Sequence, residues 1–494
     1  MTGRDFASLG VHNSAANTPP HHPLDTSLER ANAAKGFEPR ILFVALVNNV
    51  GCERVVIEMS RHGALCALMS PDGFYCTKVQ SLARHFSLPQ GGVVWLTSLF
   101  VRRRLEVAVH DWHPTLVVPL DDIAAWLLRS LAVDASVTQS VQDLLVRSFG
   151  SPSGYRAAID RNLLMDVASR IGVRKPQHKR IAYPQKDFRV PEDWAFPLFL
   201  KTEHSCGGDG VTAVKDRAQL LRELAAKNAR RRKRRLVSRV KNILRSRAGF
   251  ESSSDDEIIV QSFAPGHPAF RSVAAWNGRI LAGVSFAAER IHPEPTGAST
   301  VIRFIEHPEM DETAAAITAA LGCSGFVSFD FMLDDERGHA TLIEMNARCV
   351  GSCHLGGLFG RDICGALVAE LAGSSASQPS EITKPKLVAL FPKELERDPA
   401  SPYLSSSEVL HDIPQNEPAL LEAYERHLAK LHPSQASSIH SFIERAGNGS
   451  PASARGGEDD LGRREKVALT TSFRSDATAS NPESRGSPTR NLRI

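Results

Sequence analysis

The stretch FVSFDFMLDDERGHATLIEMNAR, residues 326–348, restricts the fold more tightly than any other part of the chain. In its first run Phe329, Phe331 and Leu333 alternate with Ser328 and Asp330; in its second, Ile343 and Met345 alternate with Leu342, Glu344 and Asn346. A period of two is that of a strand, so each run has one oily face and one face bearing acid. DDERG between them has the composition of a tight turn, and a turn centred on Arg337 sets Asp330 across from Glu344. Two carboxylates facing one another repel, so a positive group is expected beside them.

The rest of the chain alternates apolar runs with helical patterns. ILFVALVNNVGCERVVIEMSRHG reads as a buried strand, a glycine-containing turn and a helix, and ALCALMS, GGVVWLT and LVVPLDD read as further strands. That alternation predicts a small parallel α/β domain over 39–150. AIDRNLLMDVASRIGV is a helix ended by Gly172, PLFLKTEHSCGGDGVTAVK a strand, a glycine-rich loop and another strand, and IIVQSFAPG a strand entering a loop. FRSVAAWNGRILAGVSFA is a hairpin turned at Asn277-Gly278, the dipeptide of a type I′ turn. DETAAAITAALG is a helix stopped by Gly322. Residues 1–38 and 436–494 lack periodicity and are expected to be disordered, and 376–435 to pack as a C-terminal extension.

At 494 residues with 42% hydrophobic content the chain holds enough apolar side chain for two or three packed units. It has no signal-peptide-like start and no run of about 18 apolar residues, which predicts a soluble cytoplasmic protein. Eight cysteines without paired spacing fit reduced thiols. Cys349, Cys353 and His354 form a lone CxxxCH, which without a second pair reads as packing before zinc. The net charge of +4 assigns no partner, but 227–247 (KNARRRKRRLVSRVKNILRSR) is densely basic and contains no acid. It is either a solvated helical insertion or a contact for nucleic acid or an acidic membrane, and no aromatic residue is interleaved for base stacking.

Lys201 ends the apolar run PLFLK, and Gly207, Gly208 and Gly210 follow within a few residues. Bare glycines let backbone N–H groups approach phosphate oxygens, and a lysine on the adjoining strand adds a point charge. The same glycines also suit a plain hairpin tip. The acidic hairpin complements them, because Asp330, Glu344 and Asn346 offer hard oxygen ligands of the kind Mg²⁺ (or Mn²⁺) takes when it bridges ATP phosphates. Arg348 adds a planar donor for phosphate or for an acyl phosphate. The alternative for all of them is a solvent-facing strand side with ordinary surface charges.

Taken together, FPLFLKTEHSCGGDGV, IIVQSFAPG and GFVSFDFML…ATLIEMNAR resemble the ATP-grasp superfamily, in its carboxylate-amine ligase branch with biotin carboxylase and the dipeptide ligases. The resemblance covers about 39–375, and RSVAAWNGRILAGVSF, TVIRFIEHPEM and KLVALFPKELERDPASPYL look like an uncharacterised bacterial subgroup of it. It implies an α/β ATP-grasp fold with an N-terminal parallel α/β (pre-ATP-grasp) domain over 39–150. An ATP-grasp domain over 151–375 follows, with a mobile lid at about 184–262 carrying the basic insertion 227–249, and a mixed-sheet C-terminal catalytic subdomain. By position it implies that Arg161, where DR replaces DK, contacts phosphate and that Lys201 reaches the α and β phosphates. Gln261 would lie near adenine, Phe263 and Ala264 would offer backbone hydrogen bonds to its edge, and Asp330, Glu344 and Asn346 would hold one or two Mg²⁺ ions. Arg348 would steady the transferred phosphoryl. The acidic ribose contact is not evident in GHPAFRS, and the glutamate of biotin carboxylase is here Ser352, which argues against bicarbonate chemistry.

The implied reaction begins with a substrate carboxylate attacking the γ-phosphate of ATP while cationic groups neutralise the developing charge. An amine or other nucleophile then takes the acyl group from the mixed anhydride, which a closed lid protects from water. Arg303 and Arg271 either pair with the substrate carboxylate or are ordinary strand arginines, and His204 reads as a lid surface residue. Two rival readings are an ATP-binding regulatory protein on the same fold, and an adaptor using its basic insertion on nucleic acid or membrane. The sequence leaves homo-oligomer formation open.

Overall fold

The computed structural model describes residues 38–90, 94–182, 190–191, 194–202, 211–227, 257–294, 297–375 and 386–447. The chain opens with β1 (Arg40–Val44), α1 (Glu53–Arg61), β2 (Leu65–Pro71), β3 (Leu82–Leu88), α2 (Val94–Trp112), β4 (Leu116–Pro119), α3 (Asp122–Ala132) and α4 (Gln139–Phe149). The four strands form a parallel sheet in the order β3-β2-β1-β4. RILFV lacks alternation because both of its faces are covered, as in parallel sheets generally. Ile41 and Phe43 enter a core shared with the large seven-stranded sheet, while Leu42 and Val44 pack with side chains of α2, α3 and α4. In GGVVWLT, expected as a strand, the described residues 94–97 instead belong to α2, and the third strand is LARHFSL. A short apolar run cannot be told from a buried helix segment by periodicity alone. What decides here is the helical spacing of Val101, Leu105, Ala108 and Trp112, which are all buried.

α5 (Tyr155–Ile159) and α6 (Arg161–Arg170) lead to β5 (His178–Ala182), β6 (Leu198–Thr202), β7 (Val211–Val214) and β8 (Glu257–Ser262), an antiparallel sheet in the order β5-β8-β6-β7. It has its own small core around Ile181, Leu198, Leu200, Val214, Ile258 and Val260. Gly207, Gly208, Gly210, His204 and the insertion 227–249, apart from Lys227, lie outside the described residues.

β9 (His267–Trp276), β10 (Arg279–His292), β11 (Ala298–Ile305), α7 (Pro308–Leu321), β12 (Gly325–Asp334), β13 (His339–Asn346) and α8 (Ile363–Ala372) build the third unit. β9 turns into β10 through Asn277 and Gly278 at φ of 48° and 82°, the left-handed pair that a type I′ turn demands. α7 ends on Gly322 at φ 61°. β14 (Leu387–Ala389), α9 (Lys393–Arg397), β15 (Val409–His411), α10 (Pro418–Leu431) and α11 (Ala436–Gly447) complete the described chain. The resulting seven-stranded sheet runs β13-β12-β9-β10-β11-β14-β15, antiparallel except for the last pair. The segment after 386 therefore extends this sheet by two strands. Residues 436–447, expected within a disordered tail, are helical, with Ile439 and Ile443 buried in the shared core.

The architecture is α/β and has the three parts the ATP-grasp resemblance implies: a parallel sheet, a small antiparallel sheet and a large mixed sheet. No helix among the described residues is long and apolar enough to cross a membrane.

Candidate active site

The acidic hairpin forms as its alternation requires, but its phase changes part-way along. Asp334 pairs with His339 and Phe331 with Leu342; a bulge then shifts the register, so that Asp330 pairs with Glu344 and Ser328 with Asn346. Ile343 is the extra residue. Leu342, expected on the acid side, is fully buried, whereas Ile343, expected on the oily side, is only half-buried. Without the bulge Ile343 would stand opposite Asp330. The bulge thus brings Glu344 onto the face of Asp330.

Asp330 is held close to its neighbours. Asn346 Nδ2 donates to Asp330 Oδ2 at 3.1 Å. Burial first, and then the facing Glu344, push the Asp330 carboxyl up to about 7, against the opposing pull of Arg348, the Asn346 hydrogen bond and Arg161. Arg161 stands at the first position of α6, a helix start fixed by Asp160, whose side chain accepts from the Leu163 N–H at 2.9 Å. Its Nη2 reaches Glu344 Oε1 at 2.6 Å. Lys201, near the end of β6, is only 8% exposed. Burial pushes its amine down to about 8; Glu344 and Asp330 oppose that shift and Arg161 adds to it. The lysine of the small sheet therefore lies within electrostatic reach of the acids of the large one.

Arg348 is clasped from the start of α3. Its Nε donates to Asp122 Oδ1 at 2.5 Å and its Nη2 to Asp122 Oδ2 at 3.0 Å, while Nη2 also meets Asn346 Oδ1 at 3.3 Å. Sequence reasoning missed Asp122. Its signal was the doubled acid in LVVPLDDIAAW at a strand-to-helix junction. One aspartate suffices as a cap, and Asp121 takes that role, accepting from the Ala124 N–H at 2.8 Å and from the Leu46 N–H at 2.6 Å. The second acid is left for another partner.

Arg303 and Arg271 are not brought to this face. Arg303 pairs in register with Ala287, and Arg271 with Phe329, side chains of the core that lies with α7 on the opposite side of the sheet. Arg303 binds Glu289 at 2.9 Å and Arg271 binds Asp311 at 2.6 Å. The expectation that Arg303 serves catalysis is corrected on that ground: strand alternation turns it away from Asp330. In the small sheet Gln261 is buried in β8, and beyond its end Ala264 is buried and Phe263 is 43% exposed, its ring stacked on that of Phe199 at 6.3 Å. Cys349 and Cys353 are buried in the shared core, and His354 Nε2 faces Asp412 Oδ2 at 3.4 Å.

Among the described residues no group of three or more His, Cys, Asp or Glu side chains is placed to hold a metal. The acidic hairpin offers two carboxylates and, as third donor, the Asn346 carboxamide. That set still fits a hard divalent cation in its donor chemistry, since every donor it offers is an oxygen.

No family model matches the chain, and no curated protein matches it. Solved structures do. An L-amino acid ligase from Bacillus licheniformis is 14% identical over 70% of this chain and 75% of its own, with a TM-score of 0.46. N5-carboxyaminoimidazole synthetase from Staphylococcus aureus, complexed with ADP, is 11% identical over 70% of this chain and 80% of its own, with a TM-score of 0.47. A biotin carboxylase from Campylobacter jejuni is 15% identical over 69% of this chain and 72% of its own, with a TM-score of 0.49. At such identities the likeness concerns the course of the chain and says nothing about substrate.

Proposed function

We propose that the protein is an ATP-dependent ligase that activates a small-molecule carboxylate as an acyl phosphate and joins it to an amine or other nucleophile. The observation that carries this reading is the gathering of Arg161, Lys201, Asp330, Glu344, Asn346 and Arg348, from distant parts of the sequence, into one polar cluster between sheets. Arg161 and Lys201 would bind phosphate oxygens, and Gln261, Phe263 and Ala264 would receive the adenine. Mg²⁺ held by Asp330, Glu344 and Asn346 would supply charge neutralisation at the phosphates. A carboxylate oxygen attacks the γ-phosphorus and ADP leaves; the amine then attacks the acyl carbon and phosphate leaves. Arg348 steadies the transferred phosphoryl group.

Screening ADP release over amino acids and small carboxylates, with Glu344→Ala as the blank, tests the reading. Release that requires both an acid and a nucleophile and disappears in the blank supports it. Release that is the same in the blank is a contaminant's activity and overturns it.

A further inference from the structure

Arg348 is the cation whose position most needs explaining. It follows Asn346 by two residues at the end of β13, and its Nη2 already touches Asn346 Oδ1 at 3.3 Å, while Asn346 Nδ2 touches Asp330 Oδ2 at 3.1 Å. A guanidinium that close to a part-buried acid pair can settle on it, as that of Arg161 does on Glu344 at 2.6 Å, because such a carboxylate is stabilised by a paired, hydrogen-bonded cation. Instead the fork of Arg348 is engaged in two-point fashion by Asp122, at the start of α3, at 2.5 and 3.0 Å. Only 16% of the Arg348 side chain is exposed, against 42% for Asp122. An acid in the first turn of α3 would also favour that helix through its dipole, and this would be its whole role if the geometry were loose. The two-point clasp is not loose. It fixes both the plane and the direction of the guanidinium.

We propose that Asp122 is a positioning residue that holds the Arg348 guanidinium off the Asp330–Glu344 pair, so that the acid oxygens not taken by Arg161 and Asn346 remain available to a divalent cation. The proposal rests on the ligase reading, in which that pair takes Mg²⁺. It differs from a structural role in one respect: removing Asp122 does harm only while Arg348 is present to collapse onto the acids.

The test titrates MgCl₂ into the full-length protein carrying a non-hydrolysable ATP analogue, by calorimetry, with thermal melting of every variant alongside. Asp122→Ala is expected to weaken the apparent Mg²⁺ affinity about tenfold, the size of a strongly coupled pair. Asp122→Glu should keep most of the affinity, and adding Arg348→Ala to Asp122→Ala should restore it to the level of Arg348→Ala alone. Should Asp122→Ala fold poorly, Asp122→Asn keeps the shape, loses the charge and is read the same way. Wild-type affinity in Asp122→Ala, or no recovery in the double variant, overturns the proposal and leaves Asp122 a helix-start residue. A wild-type protein showing no Mg²⁺-dependent uptake of the analogue overturns the ligase reading itself, and the proposal with it.

Discussion

Among the described residues, two charged clusters with buried members are built on different terms. The first joins α1 to the C-terminal strands: Arg54 lies 3.6 Å from both Glu53 and Asp412, Tyr424 donates to Glu53 at 2.7 Å, and the Phe391 N–H donates to Asp412 at 2.5 Å. Burial pushes the Asp412 carboxyl up, but Arg54, His354 and the Phe391 N–H outweigh it and leave the group below its usual range. The second cluster sets Asp330 against Glu344, and there burial and the like charge prevail. In the first, the Asp412 carboxylate is held charged by fixed partners within the fold. In the second, the Asp330 carboxyl stays raised by burial and by Glu344 although Arg161, Lys201 and Arg348 lie around the pair, and groups perturbed in that way gather where something is to be bound.

Substitutions tell the two clusters apart. Asp412→Ala leaves Arg54 buried without its best partner and should cost about 3–5 kcal/mol of stability, read as a lowered denaturation midpoint. A cost no larger than that of an exposed change would mean the first cluster is not structural. Glu344→Ala attacks the second cluster and should lower turnover about 10²–10³-fold while the fold survives. Loss of stability in place of turnover would make the two clusters alike.

Lys201 sharpens the contrast through pH. Its folded pKa of about 8 lies below the ordinary 10.5, so between those values the unfolded chain binds more protons. Its contribution to stability therefore rises with pH across that window. Nucleotide affinity should move the other way, falling as pH rises through about 8, since the neutral amine no longer attracts phosphate. Lys201→Met should flatten both trends, measured as melting and binding from pH 7 to 10. The smallest effect belongs to Arg303→Ala. On the far side of the sheet and paired with Glu289, it should change turnover less than about twofold and stability by less than about 1 kcal/mol, as exposed pairs do. A large drop in turnover would return Arg303 to the site.

Local chemistry made much of this legible in the sequence. The type I′ turn at Asn277-Gly278, the helix stop at Gly322 and the strand pair bearing Asp330 and Glu344 each follow from the backbone preferences of a few adjacent residues, which do not depend on what lies across the fold. GGVVWLT misled for the complementary reason: a short apolar run is compatible with burial in either element, and only its neighbours choose. Whether an arginine on a strand faced the acids was decided by register, so Arg303 and Arg271 fell on the wrong side. The bulge at Ile343 and the clasp of Arg348 by Asp122 belong to tertiary structure alone. One depends on how β12 and β13 slide past each other, and the other on the start of α3 meeting the chain just beyond β13, and no spacing within a single segment encodes either.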